Sequence, residues 1–342
     1  MARVPYLRST NGLIQRASHL ERSRSILASG NVLLSRATQT ILSPASGFKE
    51  GSFSLVAARQ FRLFDPHTMT HSLVRSAWIE ASHFHELSEV EVLREVSRRV
   101  SEVRACATSE RSSHPLVLLD LDSTLYEVGP RTHQILKEWN ATHDALRFSR
   151  VHAALSQMLP EHVGYSLRDT FAALDLVLEG DAEITAAWEC AKKFWQDRFF
   201  TSDYLKYDEA YPGAAEFARE VYHLGAEIVY LTGRDEPGMG EGTRARLLED
   251  GFPWSVPRTH LLMKPESHMD DLEHKQEAAH YIRAHGTLIA SFENEPPNVV
   301  ALQKLFPDAM HVFMETVCSD RPAARGSDLF KIRNFMPLVA KL

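Results

Sequence analysis

The sequence predicts an α/β protein: a parallel sheet with helices on both faces, interrupted by a long helical insertion. Three observations carry that expectation. Short apolar runs recur at 116–119, 226–231, 260–263, 287–292 and 310–314, as strands buried on both faces of a parallel sheet do. Two acids, Asp120 and Asp122, directly follow the first run, at the edge where open α/β sheets bind ligands. About 85 residues separate Tyr126 from Tyr211, far more than a simple crossover needs. Apolar residues in that stretch recur at helical spacing: Ile135, Leu136 and Trp139, then Phe171, Leu174 and Leu178, then Trp188, Ala191, Phe194, Trp195 and Phe199.

Composition sets the bounds. The 342 residues are 44% hydrophobic and 24% charged, which supports full cores and excludes wholesale disorder. No apolar run reaches the length of a spanning helix. Cys106, Cys190 and Cys318 lie too far apart for a CxxC site and suit a reducing compartment. The net charge of −7 is unevenly spread: residues 1–68 are basic, with Glu21, Glu50 and Asp65 their only acids. The rest is strongly acidic, which argues against a broad nucleic-acid-binding face while leaving room for a local basic pocket.

Residues 1–68 read as a Ser/Arg-rich extension, disordered or targeting, with Met69 an alternative start. Their acid-poor composition matches organellar transit peptides. A cytoplasmic protein is expected, or a mitochondrial or plastid one if residues 1–60 are a transit peptide. From 86 to 107, Leu87, Val90, Leu93, Val96, Val100 and Val103 recur every three or four residues, an amphipathic helix expected to pack on the domain behind it.

The chemistry begins at Asp120 and Asp122. Two carboxylates this close behind a buried strand are costly unless a cation or proton offsets their repulsion. Further on, Tyr211-Pro-Gly213 opens a helical stretch, and the strand at 226–231 ends in Thr232-Gly233-Arg234; Gly233 allows close backbone approach to an anion. Gly238-Met-Gly-Glu-Gly242 reads as a flexible loop, since no Lys-Ser/Thr follows. Two lysines stand out: Lys264 just past 260–263, and Lys275 at the start of a helical pattern. The strand at 287–292 ends in Glu293-Asn294-Glu295-Pro296-Pro297-Asn298, which puts two more acids at a strand end.

Leu119-Asp-Leu-Asp-Ser-Thr-Leu125 resembles the first motif, DxDx[TV], of the haloacid dehalogenase-like (HAD) superfamily, and the later motifs follow in order over roughly 114–335. The resemblance implies a Rossmann-like catalytic domain with a helical cap inserted at about 128–208. It makes Asp120 the nucleophile that becomes a phosphoaspartate, Asp122 the acid/base, and Thr232 a hydrogen-bond donor to the phosphoryl group. Lys275, or alternatively Lys264, would neutralise nucleophile and phosphate. Lys264 is also similar to a basic residue of the polynucleotide 3′-phosphatase branch; a more distant similarity runs to the acid phosphatases.

Ser123, Gly233 and Arg234 are the expected substrate contacts, and Asp120, Asp122, Glu293 and Glu295 the expected Mg²⁺ ligands, with Asn298 orienting one of them. Glu stands where the superfamily more often has Asp, a longer arm expected to shift the ligand outward. Trp188, Trp195, Phe199 and Phe200 are expected in the cap core. The implied activity is Mg²⁺-dependent hydrolysis of a small-molecule phosphomonoester. Phosphotransfer or mutase chemistry, and a silent scaffold on the same fold, remain as alternatives.

Overall fold

A computed structural model describes residues 75–106 and 114–336. The extension at 1–68, and residue 107 of the expected 86–107 helix, lie outside the described residues. Two helices come first, α1 (Arg75–Ala81) and α2 (Glu89–Cys106). A capping box sets where α2 begins: Ser88 donates its N–H and Oγ–H to the Glu91 carboxylate at 2.8 and 2.6 Å. Leu87 is therefore left outside the helix and exposed, and Val92 joins Val90, Leu93, Val96 and Val100 on the buried stripe.

The chain then runs through β1 (Pro115–Leu119) and β2 (Tyr126–Glu127) into α3 (Gly129–Asn140), α4 (Ser149–Leu155), α5 (Leu167–Ala173) and α6 (Ala182–Phe199). It returns through a 3₁₀ turn (Ser202–Tyr207) and β3 (Glu209–Ala210) to α7 (Ala214–His223), β4 (Glu227–Asp235), α8 (Glu236–Glu249) and β5 (Thr259–Lys264). The last elements are α9 (Asp271–His285), β6 (Thr287–Glu293), α10 (Pro296–Leu305), β7 (Met310–Met314) and β8 (Phe330–Ile332).

Six strands form one parallel sheet in the order β5-β4-β1-β6-β7-β8, a Rossmann-like α/β arrangement with β1 in the interior. One face packs on α2 and α7 through Val96, Val100, Phe217 and Val221. The other packs on α9 and α10 through Ala278, Ile282 and Leu302. The helices α3–α6 have a separate core, with Leu136, Trp139, Phe171 and Ile184 at its centre. This insertion joins the sheet through β2 and β3, which pair antiparallel with Glu127 opposite Glu209.

Two features depart from the sequence reading. The short edge strand β8 carried no periodic signal. The glycine run 238–242 lies inside α8 rather than in a loop, because Asp235 caps the helix by accepting from Gly238 N–H at 2.8 Å. Those glycines serve close approach: a Cβ on Gly242 would lie 2.6 Å from the Ser202 carbonyl oxygen, and one on Gly238 2.8 Å from that of Phe200. The end of the insertion thus rests directly on α8. Among the described residues, no helix is long and apolar enough to cross a membrane.

Gly213, at the start of α7, has φ 81°, and an added Cβ would overlap the Phe335 carbonyl oxygen. Gly213→Ala is expected to cost at least about 2 kcal/mol, read as a lower urea midpoint, since both the left-handed backbone and the contact oppose a side chain.

Candidate active site

The C-terminal ends of β1, β4 and β6 converge under the insertion, and a cavity of about 460 Å³ opens between them. Asp120 leaves the end of β1 with its N–H bonded to the Phe292 carbonyl of β6 at 3.1 Å. The residue is 4% exposed. Lys275, in the second turn of α9, reaches up from below and donates to Asp120 Oδ1 at 2.7 Å and Glu293 Oε2 at 2.5 Å. Three ionisable groups thus share one buried position, with two negative charges against one positive.

Burial pushes the Asp120 carboxyl up to about 7, and the charge of Glu293 adds to that against the pull of Lys275. Burial opposes the Lys275 ammonium, but Asp120 and Glu293 outweigh it and hold the lysine above its usual range. The extra methylene of Glu293 does not carry its carboxylate outward. Oε1 is drawn back onto the start of α10, accepting from Glu295 N–H at 3.0 Å and Asn298 Nδ2 at 3.4 Å.

Asp122 sits in a different electrostatic setting. Arg234, near the end of β4, donates Nε to its Oδ2 at 2.8 Å and Nη2 to its Oδ1 at 2.9 Å. Arg131, on α3, donates to the same Oδ1 at 2.8 Å. Both guanidiniums also bind Asp208, from Arg131 Nη2 at 2.5 Å and from Arg234 Nη2 at 2.8 Å. Burial acts to raise the Asp122 carboxyl, but Arg234 and then Arg131 overcome it and hold it well below the usual carboxylate range. Two aspartates and two arginines balance, so the unmatched negative charge lies with Asp120 and Glu293.

The structure therefore separates residues that the sequence grouped. Asp120, Glu293 and Lys275 come together. Asp122 and Glu295 keep their carboxylates elsewhere: Asp122 is held by the two arginines, and Glu295 accepts from the Ser319 N–H at 2.9 Å and from its hydroxyl. Lys264 turns away to Asp271 Oδ1 at 2.8 Å and to the Met269 carbonyl at 3.1 Å, tying β5 to the start of α9. Arg234 lines the cavity but is 3% exposed, with its guanidinium bonded to Asp122 and Asp208. Gly233 is a glycine for its neighbour's sake, since a Cβ there would lie 2.7 Å from the Asp271 carboxylate. Ser123, at φ 59°, lines the cavity. Thr232 is fully buried, its Oγ1 accepting from Arg234 N–H at 3.2 Å.

The sequence reading missed Arg131 and Asp208. Each is a single charged residue without a local pattern, and their partnership spans 77 positions. The aromatic residues also differ from expectation. Trp188 and Trp195 pack against the insertion's core, yet both line the cavity beside Phe199 and Phe200.

No family model and no curated protein matches the chain. Its fold is similar to several solved structures. One is a haloacid dehalogenase-like family hydrolase from Streptococcus pneumoniae, 10% identical over 58% of this chain and 83% of that one, with a TM-score of 0.35. A predicted phosphatase from Clostridium acetobutylicum is 14% identical over 60% and 86%, with a TM-score of 0.36. A predicted phosphoglycolate phosphatase from Haemophilus somnus 129pt is 13% identical over 64% and 94%, with a TM-score of 0.37. Resemblance at this level does not say what this chain acts on.

Breaking the charge cluster on one side should be costly. Arg131→Met is expected to lower stability by about 3–5 kcal/mol in urea melts, because Asp208 then keeps only one of its two guanidiniums in a buried site. Pairing it with Asp208→Leu should recover at least half of that loss, a coupling that a double-mutant cycle measures directly.

Proposed function

We propose that the protein is a phosphomonoester hydrolase of the haloacid dehalogenase-like superfamily, using Asp120 as nucleophile and Mg²⁺ as cofactor. The observation that carries this reading is the buried Asp120–Lys275–Glu293 group lining the cavity: a carboxylate beside a fixed ammonium, with one negative charge left unmatched. Among the described residues, no group of three or more His, Cys, Asp or Glu is arranged to hold a metal ion. Magnesium does not need one, since it binds through one or two carboxylates and keeps several waters. Asp120 and Glu293 suit it in donor type and in charge. Bound there, it would supply Lewis-acid stabilisation of the transferring phosphoryl oxygens.

The chain's own residues account for the rest. An oxygen of Asp120 attacks phosphorus as the bond to the leaving oxygen breaks, giving an aspartyl phosphate; water then attacks phosphorus and releases phosphate, restoring the carboxylate. Lys275, already on Asp120, holds the nucleophile in place and offsets charge gathering on the phosphoryl oxygens. Asp122 is the acid/base, but in the clamp the arginines hold it as a weak base. Released from them it takes up a proton, gives that proton to the leaving oxygen, and as the carboxylate so formed accepts the proton of the attacking water. The helical insertion acts as the cap, covering the site from solvent.

Phosphate release from p-nitrophenyl phosphate by the full chain, with and without Mg²⁺, tests the reading. Metal-dependent turnover is expected, falling at least about 10³-fold in Asp120→Asn. Mg²⁺ should also raise the melting temperature of the parent and not of Glu293→Ala, as ligand linkage requires. Turnover that survives Asp120→Asn would refute Asp120 as nucleophile.

A further inference from the structure

The cavity is much larger than a phosphoryl group requires. At about 460 Å³ it falls in the range of pockets that enclose a whole small molecule, whereas a phosphoryl group displaces only a few waters at about 30 Å³ each. What lines the remainder depends largely on α6. Trp188, Lys192, Trp195 and Phe199 are spaced by four, three and four residues, which puts them on one helical face, and all four line the cavity. The opposite requirement, packing the insertion, falls to Ile184, Ala187 and Ala191 on the same helix. Trp195 stacks on Phe199 at 4.3 Å between ring centroids, and Phe200 meets both edge-on at 5.6 and 5.0 Å. The result is an aromatic wall built of stacked and edge-on rings.

The charges on that wall are selective. Among the described residues, the cations lining the cavity are Arg131, Arg168, Lys192, Arg234 and Lys275. Arg131 and Arg234 are held by Asp122 and Asp208, Lys275 by Asp120 and Glu293, and Arg168 by Glu179. Lys192 alone of these has no carboxylate partner among the described residues. It is half-buried, its ammonium resting over the Trp188 ring at 4.6 Å. A half-buried ammonium without a counter-ion inside an aromatic pocket is complementary to a flat anion.

We propose that the cavity face of α6 selects a phosphomonoester whose leaving group is a flat aromatic ring carrying a second acidic group. The ring packs on the cavity side of the cluster formed by Trp195, Phe199 and Phe200, and the acid meets Lys192. This rests on the hydrolase reading for the reaction, but not for the binding.

The experiment compares kcat/KM of the full chain for 4-carboxyphenyl phosphate, phenyl phosphate, 4-(aminomethyl)phenyl phosphate and glycerol 3-phosphate. The carboxylated ester should exceed phenyl phosphate by about tenfold and glycerol 3-phosphate by about a hundredfold, mostly through KM. Lys192→Met should bring the first ratio close to one, and Lys192→Arg should keep it above about threefold. Ratios near one in the parent, a preference for the aminomethyl ester, or a ratio indifferent to Lys192→Met would each overturn the proposal while leaving the hydrolase reading intact.

If no ester is hydrolysed, the hydrolase reading fails, and binding decides the proposal. Quenching of tryptophan fluorescence by 4-carboxybenzylphosphonate, whose C–P bond needs no hydrolysis, should then be at least tenfold tighter than by propylphosphonate and should weaken in Lys192→Met. Equal affinities would overturn it.

Discussion

Two arginines and two aspartates, drawn from four places in the chain, hold this molecule in its working arrangement. Asp122 follows β1 and Arg234 lies near the end of β4, so both belong to the sheet. Arg131 lies in the first turn of α3 and Asp208 just before β3, so both belong to the roots of the insertion. Each guanidinium bridges both carboxylates, and that of Arg131 sits over the Phe199 ring, 4.2 Å from its centroid. Arg131, Arg234 and Asp208 are buried, so the set tolerates little partial occupancy: any of these three left unpaired is an isolated charge in a poor solvent. The helices above the strand ends are therefore docked by charge, and Asp122 takes its ionisation state from that docking.

Lys275 plays the matching part on the other side of the site. Unlike the clamp, its group does not balance, and the excess is negative. Two adjacent clusters, one neutral and one carrying an unmatched charge, give neighbouring acids opposite tendencies although they are only two residues apart. Burial raises the Asp120 carboxyl, while the arginines lower that of Asp122. Environment rather than residue type assigns them different behaviour.

Much of the sheet was legible because its strands are continuous apolar runs, and the acids at their ends stand out against that background. The choice between Lys264 and Lys275 was legible only as a preference for Lys275. Both follow plausible elements, and only the path of α9 brings one of them beneath Asp120 while Asp271 takes the other. Arg131 and Asp208 left no trace in local pattern, since a buried ion pair depends on a contact across the insertion rather than on spacing. The glycines of 238–242 misled in a physical way: a residue type that signals flexibility in isolation was needed here so that helix and turn could touch. The aromatic stripe of α6 was visible as periodicity, but periodicity alone does not distinguish a face turned to a core from one turned to a cavity.

The two-stranded ribbon of β2 and β3 has an architectural consequence. Glu127 and Glu209 are direct cross-strand partners, so the chain departs for the insertion and comes back within one strand spacing, about 5 Å. Topologically the insertion is a graft on a hairpin. A hairpin of this kind can be closed by a two-residue turn, so lengthening, shortening or exchanging the helices beyond it leaves the path of the parent sheet unchanged. Its opposed glutamates repel across the junction, which places the hold on the graft in the arginine clamp rather than in the ribbon. Exchange of one insertion for another on this scaffold would thus be limited by whether the newcomer brings its own arginine and aspartate to the same two roots.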